Sequence, residues 1–301
     1  MIITFGSINA DLIFTVEDIP QPGQTLLAEQ FRTEAGGKGA NQAIAAARDG
    51  ATVVMAGAVG QDALAEVAMQ NLIHLVDVSR VGHVSKPTGC ASILIDRQGR
   101  NMIAVAPGAN LAACSDVVDD SLIRQASVVL LQMENDAEQI ARLIQRVKQL
   151  GGKSILNLAP AIRLGSDSLS NCDLIVVNEN EAEVLAGWLQ CEPSVEDLSG
   201  RLNTGVLRTL GANGAEAFVN GEKISVAAIV VDVIDSTAAG DCFVGVLASA
   251  LDRGLLLRGA MNRAVTAAGI VCSRKGSQSS IPLQVETDRW RPPTSHEHQL
   301  P

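Results

Sequence analysis

The sequence predicts an α/β fold, with a central, mostly parallel sheet and helices on both faces. Three observations predict it. From Asp116 onward, short apolar runs alternate regularly with segments of helical spacing. The β-branched run at 229–234 reads as extended chain; beyond the small residues Ala238, Ala239 and Gly240, apolar residues recur at 243, 246, 247, 250 and 251, the period of a helix. A loop with three glycines in four positions, Gly36-Gly37-Lys38-Gly39, leads into an Ala-rich helix at 43–48.

Taken in order, residues 1–5 form a strand ending at Gly6, and 12–16 and 25–31 are strand-like, with Pro20-Gln21-Pro22-Gly23 turning between them. Residues 52–58 read as a buried strand and 63–75 as a helix. Residues 89–96 and 100–105 form a hairpin around Arg97-Gln98-Gly99. A strand at 128–131 ends in Gln132-Met133-Glu134, and a helix at 138–150 is stopped by Gly151-Gly152. Strands follow at 154–158 and 174–177, a helix opens at Asn178, and 199–205 is a weak helix. A strand at 206–210 runs into Gly211-Ala212-Asn213-Gly214 and a further strand at 215–219. Residues 259–274 form a helix of small residues, followed by a loop at 275–280. The tail, 290–301, is rich in Pro and His and is expected to be disordered. His296 and His298 there are metal-binding residue types, but a solvated tail is the simpler expectation.

Composition narrows the function. The 301 residues are 47% hydrophobic but only 2% aromatic, with no Tyr, so the core is aliphatic. The net charge of −10 argues against nucleic acid or an anionic membrane as partner. The six cysteines (90, 114, 172, 191, 242, 272) have no CxxC spacing and read as reduced thiols in a cytoplasmic protein. No apolar run approaches the roughly 18 residues of a membrane span. The N-terminus enters a strand directly, without the basic region of a signal peptide.

The motifs carry the chemistry. In Asp235-Ser236-Thr237-Ala238-Ala239-Gly240-Asp241 the small residues leave backbone N–H groups uncovered at a helix start, where unpaired donors and a partial positive charge hold anions. Asp241 reads either as a helix cap or as a base that takes a proton from a hydroxyl attacking a phosphoryl group. Asn9 and Asp11, two apart after the first strand, share one side of extended chain; they read as a turn pair or as ligand contacts at a strand's carboxyl end. Acids in a first helical turn are ordinary dipole partners, which is the plain reading of Glu179 and Glu183. A dinucleotide-binding oxidoreductase would need GxGxxG after the first strand, and Gly6-Ser7-Ile8-Asn9 offers none.

Together, the early motif Gly36-Gly37-Lys38-Gly39-Ala40-Asn41-Gln42 and the late motif Ala239-Gly240-Asp241, about 200 residues apart in the order that family has, resemble the two signatures of the ribokinase-like sugar kinases, the PfkB family. The resemblance extends from residue 1 to about Pro282, and implies one Rossmann-like α/β domain over 1–301. A small β-sheet lid over the sugar, inserted at about 12–35 and 88–106, is implied too, as is a homodimer through that lid.

It further implies an ATP-dependent sugar kinase, with D-ribose phosphorylated at its 5-hydroxyl as the first expectation. Asp241 would be the general base, with N–H groups from Ala238, Ala239, Gly240 and Asp241 as the anion hole. Asn9, Asp11, Gly37, Lys38, Asn41 and Glu134 would hold the sugar. Asn178, Thr209, Gly211, Gly214 and Gly240 would contact ATP, and Glu181 would bind Mg²⁺ indirectly. Asp235, Thr237, Val271, Arg274, Gly276 and Ser280 would form a K⁺ site, mostly through carbonyls. Val265 stands where the family pattern suggests a His near the nucleotide, and the stretch 189–205 looks short for the family. The alternatives are another sugar (deoxyribose, fructose), a nucleoside, or a non-catalytic regulator on the same fold. The scarcity of aromatics speaks against stacking a nucleoside base, and Lys38 in its motif points to a pentose.

Overall fold

A computed structural model describes residues 1–290. The tail expected to be disordered, with His296 and His298, lies outside the described residues apart from Trp290. The chain runs β1 (Ile2–Phe5), β2 (Asn9–Thr15), β3 (Gln30–Gly36), α1 (Lys38–Arg48), β4 (Val53–Val59), α2 (Ala63–Met69), α3 (Leu72–Leu75), β5 (Asp77–His83), β6 (Gly89–Ile95) and β7 (Asn101–Ala106). It continues with α4 (Asp120–Gln125), β8 (Val128–Leu131), α5 (Ala137–Gln149), β9 (Ser154–Asn157), α6 (Ser166–Ser170), β10 (Leu174–Asn178), α7 (Glu179–Leu189), α8 (Val195–Leu202) and β11 (Gly205–Thr209). Last come β12 (Ala215–Val219), β13 (Glu222–Val226), α9 (Ala239–Asp252), α10 (Leu257–Cys272) and α11 (Gln284–Arg289).

Nine strands make the central sheet, in the order β13-β12-β11-β10-β9-β8-β1-β4-β5. It is parallel from β5 to β11, and only β12 and β13 run antiparallel to their neighbours. Alternate residues of each strand feed opposite cores. Ile2, Leu130, Ile155 and Val176 pack against α1, α9 and α10. Ile3, Phe5, Leu131, Leu156 and Ile175 pack against α5, α7 and α8. Burial on both faces is why these strands read as unbroken apolar runs.

The second sheet, β3-β2-β6-β7, is the small one implied by the resemblance. Asn9 pairs with Gly36 and Thr15 with Gln30, which sets β3 five residues later than the expected strand at 25–31. Its Arg32 and Thr33 are exposed and its Glu34 is half-buried, and none gives an apolar signal.

Several other boundaries differ from expectation, each for a local reason. The helix at 63–75 is two helices, broken at Asn71, whose amide turns away to bond Gln278 at 2.8 Å. The helix after the glycines starts at Lys38 rather than 43, so Lys38 and Asn41 sit in its first turns. The run at 229–234 joins no sheet: Val230 is 81% exposed, and the backbone N–H of Ile234 bonds Cys272 O at 2.8 Å. β5 and β13 were not anticipated, because their apolar residues alternate with charged ones. The weak helix at 199–205 is the end of a regular helix, α8, with Ser194 as N-cap and Asn203 in the left-handed conformation closing it. The strand after it, β11, pairs on both sides.

Candidate active site

The site is built where α1 and α9 start. Gly37, at φ 91°, is the N-cap of α1 and offers no side chain to the first N–H groups. Glu134, just past β8, supplies an acceptor from a distance: its Oε2 accepts the backbone N–H of Lys38 at 3.3 Å and the hydroxyl of Ser7 at 2.6 Å. Gly39 lets α1 settle on the chain leaving β1, since a Cβ there would lie 2.6 Å from Ser7 N. Its N–H and that of Ala40 donate to Ser7 Oγ and O, at 3.3 and 2.9 Å. Gly39 therefore serves a backbone–backbone contact.

At α9 the N-cap is Ala238, in the left-handed conformation at φ 60°, with no side-chain cap. Ala239 N–H bonds Ser236 O and Cys242 N–H bonds Ala238 O. The N–H groups of Gly240 and Asp241 between them have no acceptor among the described residues, as the anion-hole reading requires. Asp241 does not cap its own helix. Its carboxylate, 8% exposed, accepts Asn41 Nδ2 on Oδ2 at 2.9 Å and Gln42 Nε2 on Oδ1 at 3.0 Å.

Two cavities flank this point. One of about 150 Å³ is lined by Lys38, Asn178, Glu181, Thr209, Gly240 and Asp241, among others. The other, about 250 Å³, is lined by Asn9 and Glu134 with an apolar wall of Val105, Pro107, Leu111 and Ile162. Lys38, which lines the first, bonds Glu134, which lines the second, through its backbone N–H. Lys38 thus lines the cavity that holds Asp241, Asn178 and Glu181, with a raised pKa because the Asp241 carboxylate, backed by Glu134 and Glu181, outweighs burial.

Asn9 and Asp11 lie on β2 rather than in a turn. Asn9 Oδ1 accepts Asn110 Nδ2 at 2.7 Å, and Asn110 Oδ1 accepts the Ile8 N–H at 2.9 Å. Asp11 is buried opposite Glu34 on β3. Burial first, then the charges of Glu134, Glu34 and Asp241, push its carboxyl from 3.8 up to about 7.

On the other side, Asn178 and Glu181 form a reciprocal cap on α7, each side chain accepting the other's N–H at 2.8 Å. One Glu181 oxygen is left uncommitted, and burial pushes this carboxyl up. One carboxylate suits a magnesium ion held mainly by phosphates and water, and no group of three or more His, Cys, Asp or Glu able to cage a metal occurs among the described residues. Gly211 and Gly214 line neither cavity; a Cβ on Gly214 would lie 2.1 Å from Val226 O, so that glycine serves the turn into β12. Val265 packs into the core under α10.

Of the six expected cation ligands, Asp235 and Thr237 precede α9, Val271 sits in the last turn of α10, and Arg274, Gly276 and Ser280 follow that helix. Asp235 Oδ1 accepts the N–H and hydroxyl of Thr237 at 2.9 and 2.6 Å, and its Oδ2 accepts Gly276 N–H at 3.1 Å. Arg274 directs its guanidinium to Glu286, which leaves its carbonyl. Val271 O already accepts Arg274 N–H, and Ser280 Oγ donates to Ser277 O. A donor set of carbonyl and carboxylate oxygens fits a hard monovalent cation.

Sequence reasoning gave no role to Ser7, Gln42, Asn110, Gln132, Asn157 or Gln278. All are buried polar residues. The one signal was an amide beside a motif, Gln42, or at the end of an apolar run, Gln132.

The comparisons with known proteins agree with this geometry. Residues 1–284 match the pfkB family of carbohydrate kinases. The chain is similar to a ribokinase of Haemophilus influenzae, at 36% identity over 94% of this chain and 95% of that one. It is also similar to a deoxyribokinase of Salmonella typhimurium, at 32% identity over 93% and 95%. Among solved structures, an Arabidopsis thaliana ribokinase complexed with ribose and ATP superposes with a TM-score of 0.85, at 28% identity over 95% of this chain and 96% of that one. With this fold, these motifs and this extent of match, the chain belongs to the pfkB family of carbohydrate kinases, phosphotransferases with an alcohol group as acceptor.

Proposed function

We propose that this protein phosphorylates D-ribose at its 5-hydroxyl, using MgATP. The observation that carries the reading is the carboxylate of Asp241 beside two uncommitted N–H groups, in a cavity that also holds Lys38. Asp241 takes the proton of the 5-hydroxyl, and that oxygen forms a bond to the γ-phosphorus as the bond to the leaving ADP oxygen breaks. The N–H groups of Gly240 and Asp241 and the Lys38 ammonium stabilise charge on the transferring oxygens. A magnesium ion held by the ATP phosphates would neutralise charge there.

Asn9, Asp11, Glu134, Gly37 and Asn41 hold the sugar on the side of the larger cavity. Asn178 and Thr209 would contact ATP, and Glu181 would help to hold the magnesium indirectly. The cation loops would hold potassium, which fixes the backbone leading into the anion hole. The small sheet covers the sugar and excludes water, the competing acceptor. Its outer residues, including Phe31, Met102 and Ile103, are exposed, and two such sheets pairing would give a homodimer. We place the protein in the cytoplasm, since its six cysteines are unpaired; no described helix is long and apolar enough to cross a membrane.

The likeness to a deoxyribokinase favours 2-deoxyribose as the second reading. ATP consumption measured with ribose, 2-deoxyribose, fructose and several nucleosides separates the two. Ribose should give the highest kcat/KM; turnover no greater than the sugar-free control, with 2-deoxyribose or a nucleoside active, would overturn the assignment.

A further inference from the structure

Asp241 is the end of a chain of buried amides, and the chain has a direction. Gln42, with no solvent exposure, donates through Nε2 to Asp241 Oδ1 and to Asn157 Oδ1, each at 3.0 Å. Its Oε1 accepts Gln132 Nε2 at 2.7 Å. On the other carboxylate oxygen, Asn41 donates to Asp241 while its own Oδ1 accepts Gln278 Nε2 at 3.0 Å, and Gln278 in turn accepts Asn71 Nδ2 at 2.8 Å. Each amide that faces the carboxylate has its carbonyl engaged from behind. Turning either one over would set carbonyl oxygen against carboxylate and donor against donor. The N–H groups are therefore locked toward Asp241.

We propose that Gln42 is a positioning residue for phosphoryl transfer, which aims and holds the carboxylate of Asp241 through the Gln132–Gln42–Asp241 arm. This rests on Asp241 being the base. Gln42 has no route to sugar or nucleotide, since it is fully enclosed and both its amide hydrogens are committed. The arm also ends badly for a purely structural feature: Gln132 Oε1 is buried without a partner. A buried acceptor left unpaired costs stability, and an aliphatic core would avoid that cost. What the amides deliver in return is a base with one orientation. Charged groups reach the carboxylate from other elements as well, namely Lys38 on α1, Asp11 on β2 and Glu181 on α7. They are common to parent and variants, so a difference between these isolates the amide.

The test compares Gln42→Met and Gln132→Met with the parent and Asp241→Asn, in kcat, both KM values and melting temperature. Gln42→Met should lose about tenfold or more in kcat, a part of the 10²–10⁴ that general-base assistance supplies. Both KM values should stay within about twofold, because no substrate contact is lost. Gln132→Met keeps both donors to Asp241 but releases Gln42, and should show the same signs at smaller size; it carries the test if Gln42→Met does not fold. A folded Gln42→Met with parental kcat overturns the proposal, as does a loss confined to KM. A folded Gln132→Met with parental kcat does so where Gln42→Met is unfolded. Turnover retained by Asp241→Asn removes the base itself, whereas an inactive Asp241→Asn beside an unaffected Gln42→Met removes only the role of Gln42.

Discussion

The Oε2 atom of Glu134 accepts the backbone N–H of Lys38 at 3.3 Å. One carboxylate thus completes the start of α1 and lines the larger cavity. Glu134→Ala should lose on both counts: roughly 1 kcal/mol of stability from the unfilled N-terminus and the released Ser7 hydroxyl, and about tenfold or more in the KM for sugar. The KM for ATP should change far less. Thermal melts and steady-state kinetics check this, and equal rises in the two KM values would contradict the placement of Glu134 beside the sugar.

Asp11 predicts a pH effect on the ligand-free protein. Its carboxyl is pushed up to about 7, chiefly by burial and then by Glu134, Glu34 and Asp241, so the fold favours its protonated form. The stabilisation is complete below the unfolded value near 4 and is lost as the pH rises through about 7. Asp11→Asn mimics the protonated form at every pH. Its melting temperature should therefore gain on the parent's as the pH rises from about 4 to 7, then hold a constant lead. A difference that does not vary with pH would contradict the environment described for Asp11.

Asp235 ties the loop before α9 to the loop after α10 through Thr237 and Gly276. A cation bound there would stiffen the turn that presents the Gly240 and Asp241 N–H groups. Replacing potassium by sodium at constant ionic strength should lower kcat severalfold. Equal rates in both salts would remove the cation from the account.

The lid strand β7 is exposed along its whole length, and Met102 and Ile103 stand bare on it. Light scattering at micromolar concentration should give the mass of two chains. A monomer would show that this sheet is covered in some other way.

Much of this was legible in the sequence, and what was missed has physical causes. The central sheet announced itself because Ile2 and Ile3, pointing to opposite cores, are both apolar. The strand β3 was expected five residues too early, because its Arg32 and Thr33 face water, its Glu34 is half-buried, and only register with β2 fixes its bounds. The glycines and Asp241 were visible as motifs, since backbone geometry restricts what can stand there. Spacing could not tell whether Asp241 caps its helix; its partners Asn41 and Gln42 are about 200 residues away in sequence. Nor could it give Gln132, Asn157 and Gln278 a role, because each amide acquires one only when three separate segments meet.

The most direct test of the central claim is the turnover of Asp241→Asn, measured on a sample whose melting temperature and ATP binding are also known. Asparagine keeps one acceptor for Asn41 or Gln42 and turns an amide toward the other, so some loss of stability is expected. It is a far weaker base than a carboxylate. The variant should bind ATP and sugar and turn over about 10²–10⁴-fold more slowly than the parent. A folded, ATP-binding variant that retains more than about a tenth of parental turnover would fall outside that range and would contradict Asp241 as the base.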